Sequence, residues 1–298
     1  MSKYVIYTVM AGKYGNVLQP LVTDDSFDYI LFSNDLSGTV GVWEVRPIPC
    51  AIQNDNKRLS RYPKTHPVSL LSEYSASLYL DANIQIVDNW VYDRFRQLVE
   101  LKDVNIAGIQ LVYTGRDCIY YHSYDMCVMK AEHDYNAIVQ MHALRRLGFP
   151  EHWGLNENNL IWRRHNKFVE DIDDEWWWWI TNYSYRDQFS YMYCLWKFKE
   201  KRHFFLPVGE TTTNSVHFNR IYHNDDPVVA SKKWVRNGFF EFLRNKCRTI
   251  NDNTYRSCAE QYVFISKLPL PRVSLFVWGL FAMLFYIPVF IIKKSITR

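Results

Sequence analysis

Between Val273 and Ile292 the chain runs VSLFVWGLFAMLFYIPVFII, twenty residues without a charge. As an α-helix rising ~1.5 Å per residue, this run would extend about 30 Å, the thickness of a bilayer's hydrocarbon core. A buried helix of a water-soluble core rarely stays uncharged for so long, so the run is read as a C-terminal membrane helix. Trp278 and Tyr286 suit the interfaces, and Pro288 stands near the helix end. Lys267 and Arg272 precede the run while Lys293, Lys294 and Arg298 follow it, so positive charge favours neither orientation. An interfacial or re-entrant placement stays open. The N-terminal MSKYVIYTVMAGKYG passes at once into strand-like sequence, without the basic, apolar and small-residue order of a secretory signal. The remainder of the chain is therefore expected in the cytoplasm, anchored by its last helix.

Upstream, short apolar runs alternate with turn-rich polar ones: Val5 to Gly12, Phe27 to Asp35, Val42 to Ile48, and Ser75 to Val87. These read as strands that end in loops. A helix is expected from about Asp88 to Glu100, followed by a strand over Asn105 to Gln110. Tyr135, Ile138, Met141, Leu144 and Leu147 recur at spacing three before Gly148 and Pro150 stop that helix, and another begins near Asp187 with Phe189, Met192, Tyr193 and Trp196 on one side. Alternation of this kind predicts an α/β fold with a single mostly parallel sheet flanked by helices. The expected organisation is a domain over 1–227, a basic and aromatic membrane-proximal segment over 228–272, the membrane helix over 273–292 and a short basic tail over 293–298.

The formal charge of +4 is spread among mixed signs, which suits an anionic small molecule or membrane surface and gives no support to a nucleic-acid partner. The six cysteines form no C-x-x-C pair and no zinc-like cluster with histidine, and read mostly as buried free thiols.

The sequence Leu80-Asp81-Ala82-Asn83 closes an apolar strand. In an open α/β sheet, ligands bind beyond the carboxyl ends of strands, so an acid there faces a cleft. A carboxylate and an amide two residues apart can also meet a hard divalent cation, although such triplets commonly form Asx-turns. Arg58, Arg61 and Lys64, upstream of that strand, match phosphate recognition or form a solvated basic face. Asp35 follows the Phe27 run and is read as a nucleoside contact or a helix cap. Glu157, with the Arg164-His165-Asn166 group, carries hydrogen-bonding capacity for a hydroxyl-rich ligand or for a turn. The Trp176 to Trp179 tetrad divides between core packing, a stacking wall for sugar rings and a membrane-facing edge.

Several separated motifs occur in order: YTVMAGKYG, FDYILFSND, KRLSRYPKTHP before LDANIQI, RDCIYYHSYDMC, GFPEHWGLNENNLIWRRHN and YSYRDQFSYMYCLWK. Together, over roughly Tyr4 to Phe218, they resemble a glycosyltransferase-like domain family found in plant mucilage-related proteins and bacterial surface-polysaccharide clusters, of the GT-A type. Two positions depart from the pattern: Asn83 stands at the second acidic position of a D-x-D signature, and Tyr121-His122 stands where an acidic pair is expected.

The resemblance implies a GT-A-like fold and transfer of a sugar from a nucleotide-sugar donor to the hydroxyl of a glycan or lipid-linked acceptor, in polysaccharide or lipid-linked glycan synthesis. It further implies a divalent cation, Mn or Mg, on Asp81 and Asn83 with a late histidine, His217, as third ligand; His223 is the other late histidine. Arg186-Asp187-Gln188 is similar to an element that reaches the sugar in several such families, which makes Asp187 a catalytic candidate beside Glu157, with Arg186 and Gln188 as substrate contacts. A plain helix cap is the competing role for Asp187. The substrate-binding set is completed by Asp35, Arg58, Arg61, Lys64, His165 and Asn166. Two other functions are compatible with these residues: a non-catalytic sugar- or nucleotide-binding membrane protein, and a metal-dependent lipid hydrolase, which the missing H-E-x-x-H motif disfavours.

Overall fold

The computed structural model of the protein describes residues 4–12, 17–52, 54–111, 117–128, 132, 134–221, 252–268 and 270–281. They form two compact units: 1–117 with 153–223, and 118–152 with 224–298.

The first unit is built on an eight-stranded sheet. Its strands are β1 (Tyr4–Met10), β2 (Phe27–Ser33), β3 (Thr39–Val40), β4 (Trp43–Pro47), β5 (Ala76–Leu80), β7 (Ile106–Gln110), β8 (Asn156–Arg164) and β9 (His203–Phe204), in the spatial order β3-β4-β2-β1-β5-β8-β7-β9. The pairs β4–β2, β2–β1, β1–β5 and β7–β9 are parallel; β3–β4, β5–β8 and β8–β7 are antiparallel. A separate two-stranded ribbon pairs β6 (Ile84–Ile86) with β10 (Phe218–Arg220).

Both faces of the large sheet are covered, which is why its central strands read as continuous apolar runs instead of alternating ones. On one face Ile6, Leu31, Leu78, Leu80, Leu160 and Trp162 pack with Val91, Tyr92, Phe95 and Leu98 of helix α3 (Trp90–Glu100). On the other, Tyr7 and Tyr79 meet edge to face, Arg163 carries the contact to helix α6 (Lys167–Asn182) through Asp173 and Trp176, and Trp176 in turn packs on Tyr191 of helix α7 (Gln188–Lys197). Two short helices, α1 (Asn56–Leu59) and α2 (Pro67–Leu70), with a 3₁₀ turn at Pro63–Thr65 between them, lead into β5.

Arg163 and Asp173 form an ion pair at 3.0 Å with essentially no exposure. Removing one member of such a pair leaves an uncompensated charge in a low-dielectric interior. Asp173→Ala is expected to cost about 3 kcal/mol of stability in urea denaturation. The double change Arg163→Met with Asp173→Leu should recover most of it; a single variant as stable as the parent would show that the pair is dispensable.

Two helices bury only part of the face that their sequence spacing suggests. The one expected from spacing three is present as α5 (Asp134–Arg146), in the second unit, with Ile138, Met141 and Leu144 buried but Tyr135 and Leu147 exposed. A three-residue step advances ~300° around a helix, so a run at that spacing drifts about 60° per step and its ends leave the buried face. Of the tetrad, Trp176 and Trp179 are buried while Trp178 is exposed, as consecutive residues about 100° apart must be.

The second unit contains α4 (Ile119–Val128), α5, α8 (Asp252–Ile265) and α9 (Pro271–Phe281). Tyr124, Tyr262 and Trp278 form an aromatic triad with centroids 5.2 to 6.0 Å apart, and His142 lies 2.7 Å from the Ser274 hydroxyl. Helix α9 includes the start of the expected membrane run, and 282–292 lie outside the described residues. Its buried residues, Ser274 and Trp278, pack on protein, whereas Val273, Phe276 and Leu280 are exposed. Among the described residues no helix is long and apolar enough to cross a membrane. Cys50, Cys118, Cys127 and Cys194 are free thiols.

Candidate active site

The parallel register brings the carboxyl ends of β1, β2, β4 and β5 to one edge of the sheet, and the two antiparallel steps through β8 bring the end of β7 there too. Gly12, with φ +80°, donates its N–H to Asn34 Oδ1 at 3.1 Å and so ties the loop after β1 to the loop after β2. The exposed Asp35 follows in that second loop, its N–H bonded to Ser33 Oγ.

Asp81 is the first residue beyond β5. Its backbone N–H donates to the Asn159 carbonyl at 2.9 Å, continuing the ladder with β8, and its Oδ1 accepts from the Tyr79 hydroxyl at 2.7 Å. Side chains two apart on a strand share a face, which aligns Tyr79 and Asp81. The ammonium of Lys64, 2% exposed, lies 3.8 Å from Asp81 Oδ1, itself on a side chain 37% exposed. Lys64 also hydrogen-bonds to Asp187 Oδ2 and sits 4.7 Å above the Tyr79 ring. Arg61 stands 3.7 Å from the same Asp187 oxygen. Two carboxylates from distant segments thus flank one enclosed ammonium.

Asp187 occupies the N-cap position of α7, yet its side chain makes no capping hydrogen bond. It faces Lys64 instead, and its backbone carbonyl accepts from Trp176 Nε1 at 2.9 Å. Burial by itself would raise this carboxyl, but the charges of Lys64 and Arg61, the Lys64 hydrogen bond and the Arg186 charge overcome it and hold the group down at about 2. The same surroundings push the Tyr79 hydroxyl well up, through burial first and the Asp81 charge second. Arg61 keeps its proton despite burial because Asp187, Tyr79 and Asp81 surround it.

Beside this cluster the polar start of β8 is buried. Glu157 Oε2 accepts from Asn159 Nδ2 at 3.2 Å and lies 3.5 Å from the Thr212 hydroxyl, Asn159 Nδ2 also donates to Thr212 at 2.9 Å, and Arg220 is 3.8 Å from Glu157 Oε1. The β7–β8 register shifts here between Ala107 and Ile109, a bulge of the kind that re-aims side chains near sites. Gln188 donates to the Asn156 carbonyl at 3.2 Å and so fixes the start of α7 to the start of β8. Arg186 lies over the Tyr185 ring, 5.8 Å from its centroid.

Other expected members of the site are elsewhere. Arg58 bonds Asp55 and the carbonyls of Ile180 and Tyr183, where it satisfies the orphan end of α6. His165 and Asn166 stand at the opposite edge of the sheet, because β8 is antiparallel and carries them about 20 Å away from Asn159. His165 bonds Ser77 Oγ at 2.8 Å and is lowered to about 4, mainly by burial; Asn166 caps α6 by accepting from the Val169 N–H.

The expected metal set does not converge. Asn83 donates its amide to the Ile221 carbonyl, while His217 stacks on Trp90 and bonds Asp88 at 2.8 Å. In the β6–β10 ribbon Asn83 pairs with Ile221 and Val87 with His217, a separation of four residues or about 13 Å along the ladder. Among the described residues no three His, Cys, Asp or Glu side chains are grouped to hold a metal ion. Asp81 alone, with an ammonium against it, does not fit a protein-built divalent site. His223 lies outside the described residues.

Sequence reasoning missed Tyr79, Asn159, Thr212 and Arg220, and singled out Trp176 only as part of the tryptophan tetrad. Only Tyr79 carried a signal, its period-two relation to Asp81; the others reach the site through contacts that spacing does not encode.

No protein-family model matches the chain, and no curated protein matches it. Among solved structures, the apo form of the bifunctional glycosyltransferase WbbM aligns at 10% identity with a TM-score of 0.39, over 69% of this chain and 39% of that one, so this chain spans well under half of its length.

Proposed function

We propose that the first unit transfers a sugar from a nucleotide-sugar donor to a hydroxyl acceptor. The observation that carries the reading is the meeting of Asp81, Asp187 and Lys64 at the carboxyl edge of the sheet, next to the enclosed carboxylate of Glu157. This is the edge where open α/β sheets bind ligands. The motif resemblance over Tyr4 to Phe218 supplies the reaction class.

In this reading the acceptor oxygen attacks the anomeric carbon and the bond from that carbon to the diphosphate oxygen breaks, its electron pair leaving with the diphosphate. Asp187 is a weak base because it is held at about 2, so it serves to stabilise positive charge on the sugar. Glu157 takes the acceptor proton if configuration inverts. Asp81, the more exposed carboxylate, holds donor hydroxyls, and the buried Asn159 Oδ1, which has no hydrogen-bond partner, is a further acceptor for them. A glycan or lipid-linked acceptor and a membrane location belong to the same proposal.

The test is release of nucleotide from a panel of nucleotide sugars by the full-length protein in detergent, with and without acceptor. Turnover of at least one donor is expected, and Asp81→Ala should lower kcat/KM for it by roughly 10- to 100-fold with the fold retained. Binding of a donor without any turnover would instead identify a sugar-nucleotide binding protein.

A further inference from the structure

The charges at the sheet edge balance without a metal. Two carboxylates with a divalent ion make a neutral group; Asp81 and Asp187 with Lys64 and Arg61 make one as well. A divalent ion placed on Asp81 would stand beside an ammonium that is itself 3.8 Å from that carboxylate, and buried charges are little screened. Among the described residues no second or third ligand is grouped with Asp81 to offset the repulsion, and His217, paired with Val87, stands about 13 Å along the β6–β10 ladder from Asn83.

Arg61 has the form needed to meet the donor. Its side chain is 23% exposed, its Nε is buried with no hydrogen-bond partner, and one terminal nitrogen is held by Ser60 Oγ at 3.0 Å. With Nε turned toward Asp187 and one terminal nitrogen held by Ser60, the other terminal nitrogen of the guanidinium is left to donate to phosphate oxygens. Lys64 is too enclosed for that task; its ammonium fixes Asp81 and Asp187 at one spacing, and the aromatic rings of Tyr79 and Trp176 hold it from the sides at 4.7 and 6.0 Å.

We propose that Lys64 and Arg61 together take the place of the divalent cation, Lys64 as the fixed charge between the two carboxylates and Arg61 as the group that binds the donor's diphosphate, so that transfer proceeds without metal. This inference rests on the transferase reading. As the bond to the anomeric carbon breaks, the electron pair passes to the diphosphate, whose growing charge is met by Arg61; the acceptor proton passes to Glu157. Positioned cations at a leaving phosphate act as a metal ion does, provided they are fixed in advance.

The experiment uses the full-length protein in detergent, with UDP and GDP as calorimetric probes and the donor panel for turnover, each in EDTA and in Mn²⁺. One of the two diphosphates is expected to bind in EDTA with an affinity within about threefold of that in Mn²⁺, and turnover should likewise persist; the direct titration of Mn²⁺ into the protein should show no saturable site. Arg61→Met is expected to weaken diphosphate binding by roughly 10- to 100-fold and to flatten its salt dependence. Lys64→Met leaves the cluster of Asp81, Asp187 and Arg61 with one uncompensated negative charge and is compared with Lys64→Met/Asp187→Asn, which restores neutrality; both should lose turnover, and the double variant should keep the parent's thermal transition. Binding and turnover abolished by EDTA and restored by Mn²⁺ would overturn the inference while leaving the transferase reading intact. Absence of both diphosphate binding and donor turnover in either condition would overturn the two together.

Discussion

Asp187→Asn is expected to lose turnover by about 10²- to 10³-fold and stability by about 2 kcal/mol at neutral pH. On the proposed transferase reading, the first effect follows from removing a negative charge beside the reacting sugar. The second is the free energy that corresponds to holding the carboxyl at about 2 against an ordinary 3.8. A depressed carboxyl contributes stability that is present above pH ~4 and lost as pH falls through ~2, so the gap between parent and variant should close in acid. Helix capping does not enter, since the Asp187 side chain makes no capping bond, and the Trp176 bond is to the Asp187 backbone. Urea denaturation at neutral and acidic pH, with turnover per folded molecule, measures both effects. An equal gap at both pH values would remove the ion pair as the source of stability. Unchanged turnover would leave Asp187 a structural partner of Lys64.

Glu157→Gln is expected to behave differently: turnover falls by roughly 10²- to 10⁴-fold, the range for loss of a positioned base, while stability and donor binding change little. Glutamine keeps an oxygen that accepts from Asn159 and Thr212, as Glu157 Oε2 does, but it cannot take the acceptor's proton. Equal turnover by the variant would reduce Glu157 to a buried acceptor in the Asn159–Thr212 network. A stability loss as large as that of Asp187→Asn would point to Arg220 as its essential partner.

Much of the scaffold was legible in the amino-acid order. Runs such as VIYTVM and YILFS can form strands buried on both faces and little else, and the residue after such a strand, Asp81 or the loop with Asp35, must stand at the carboxyl edge. Helix α7 follows from apolar spacing, and α3 lies where a helix is expected after the Ser75 to Val87 run. Side-chain period is a local property, and burial against a flat sheet imposes it directly.

Strand β8 escaped that reading, because its first residues, Asn156 to Asn159, are polar and buried together and find partners in Gln188 and Thr212, far along the chain. Its antiparallel entry into the sheet placed His165 and Asn166 at the edge opposite Asp81, and the β6–β10 ladder moved His217 away from Asp81. The pairing of Lys64 with Asp187 spans 123 positions, and no local pattern predicts it. The sequence by itself determined that the apolar runs of β1, β2, β5 and β7 are strands and which edge carries the acids that follow them, because hydrophobic burial is written with a short period. Only the tertiary structure decided which charges meet there, because a buried ion takes whatever counter-charge the chain's long-range path brings within reach, and that path depends on every strand order and direction at once.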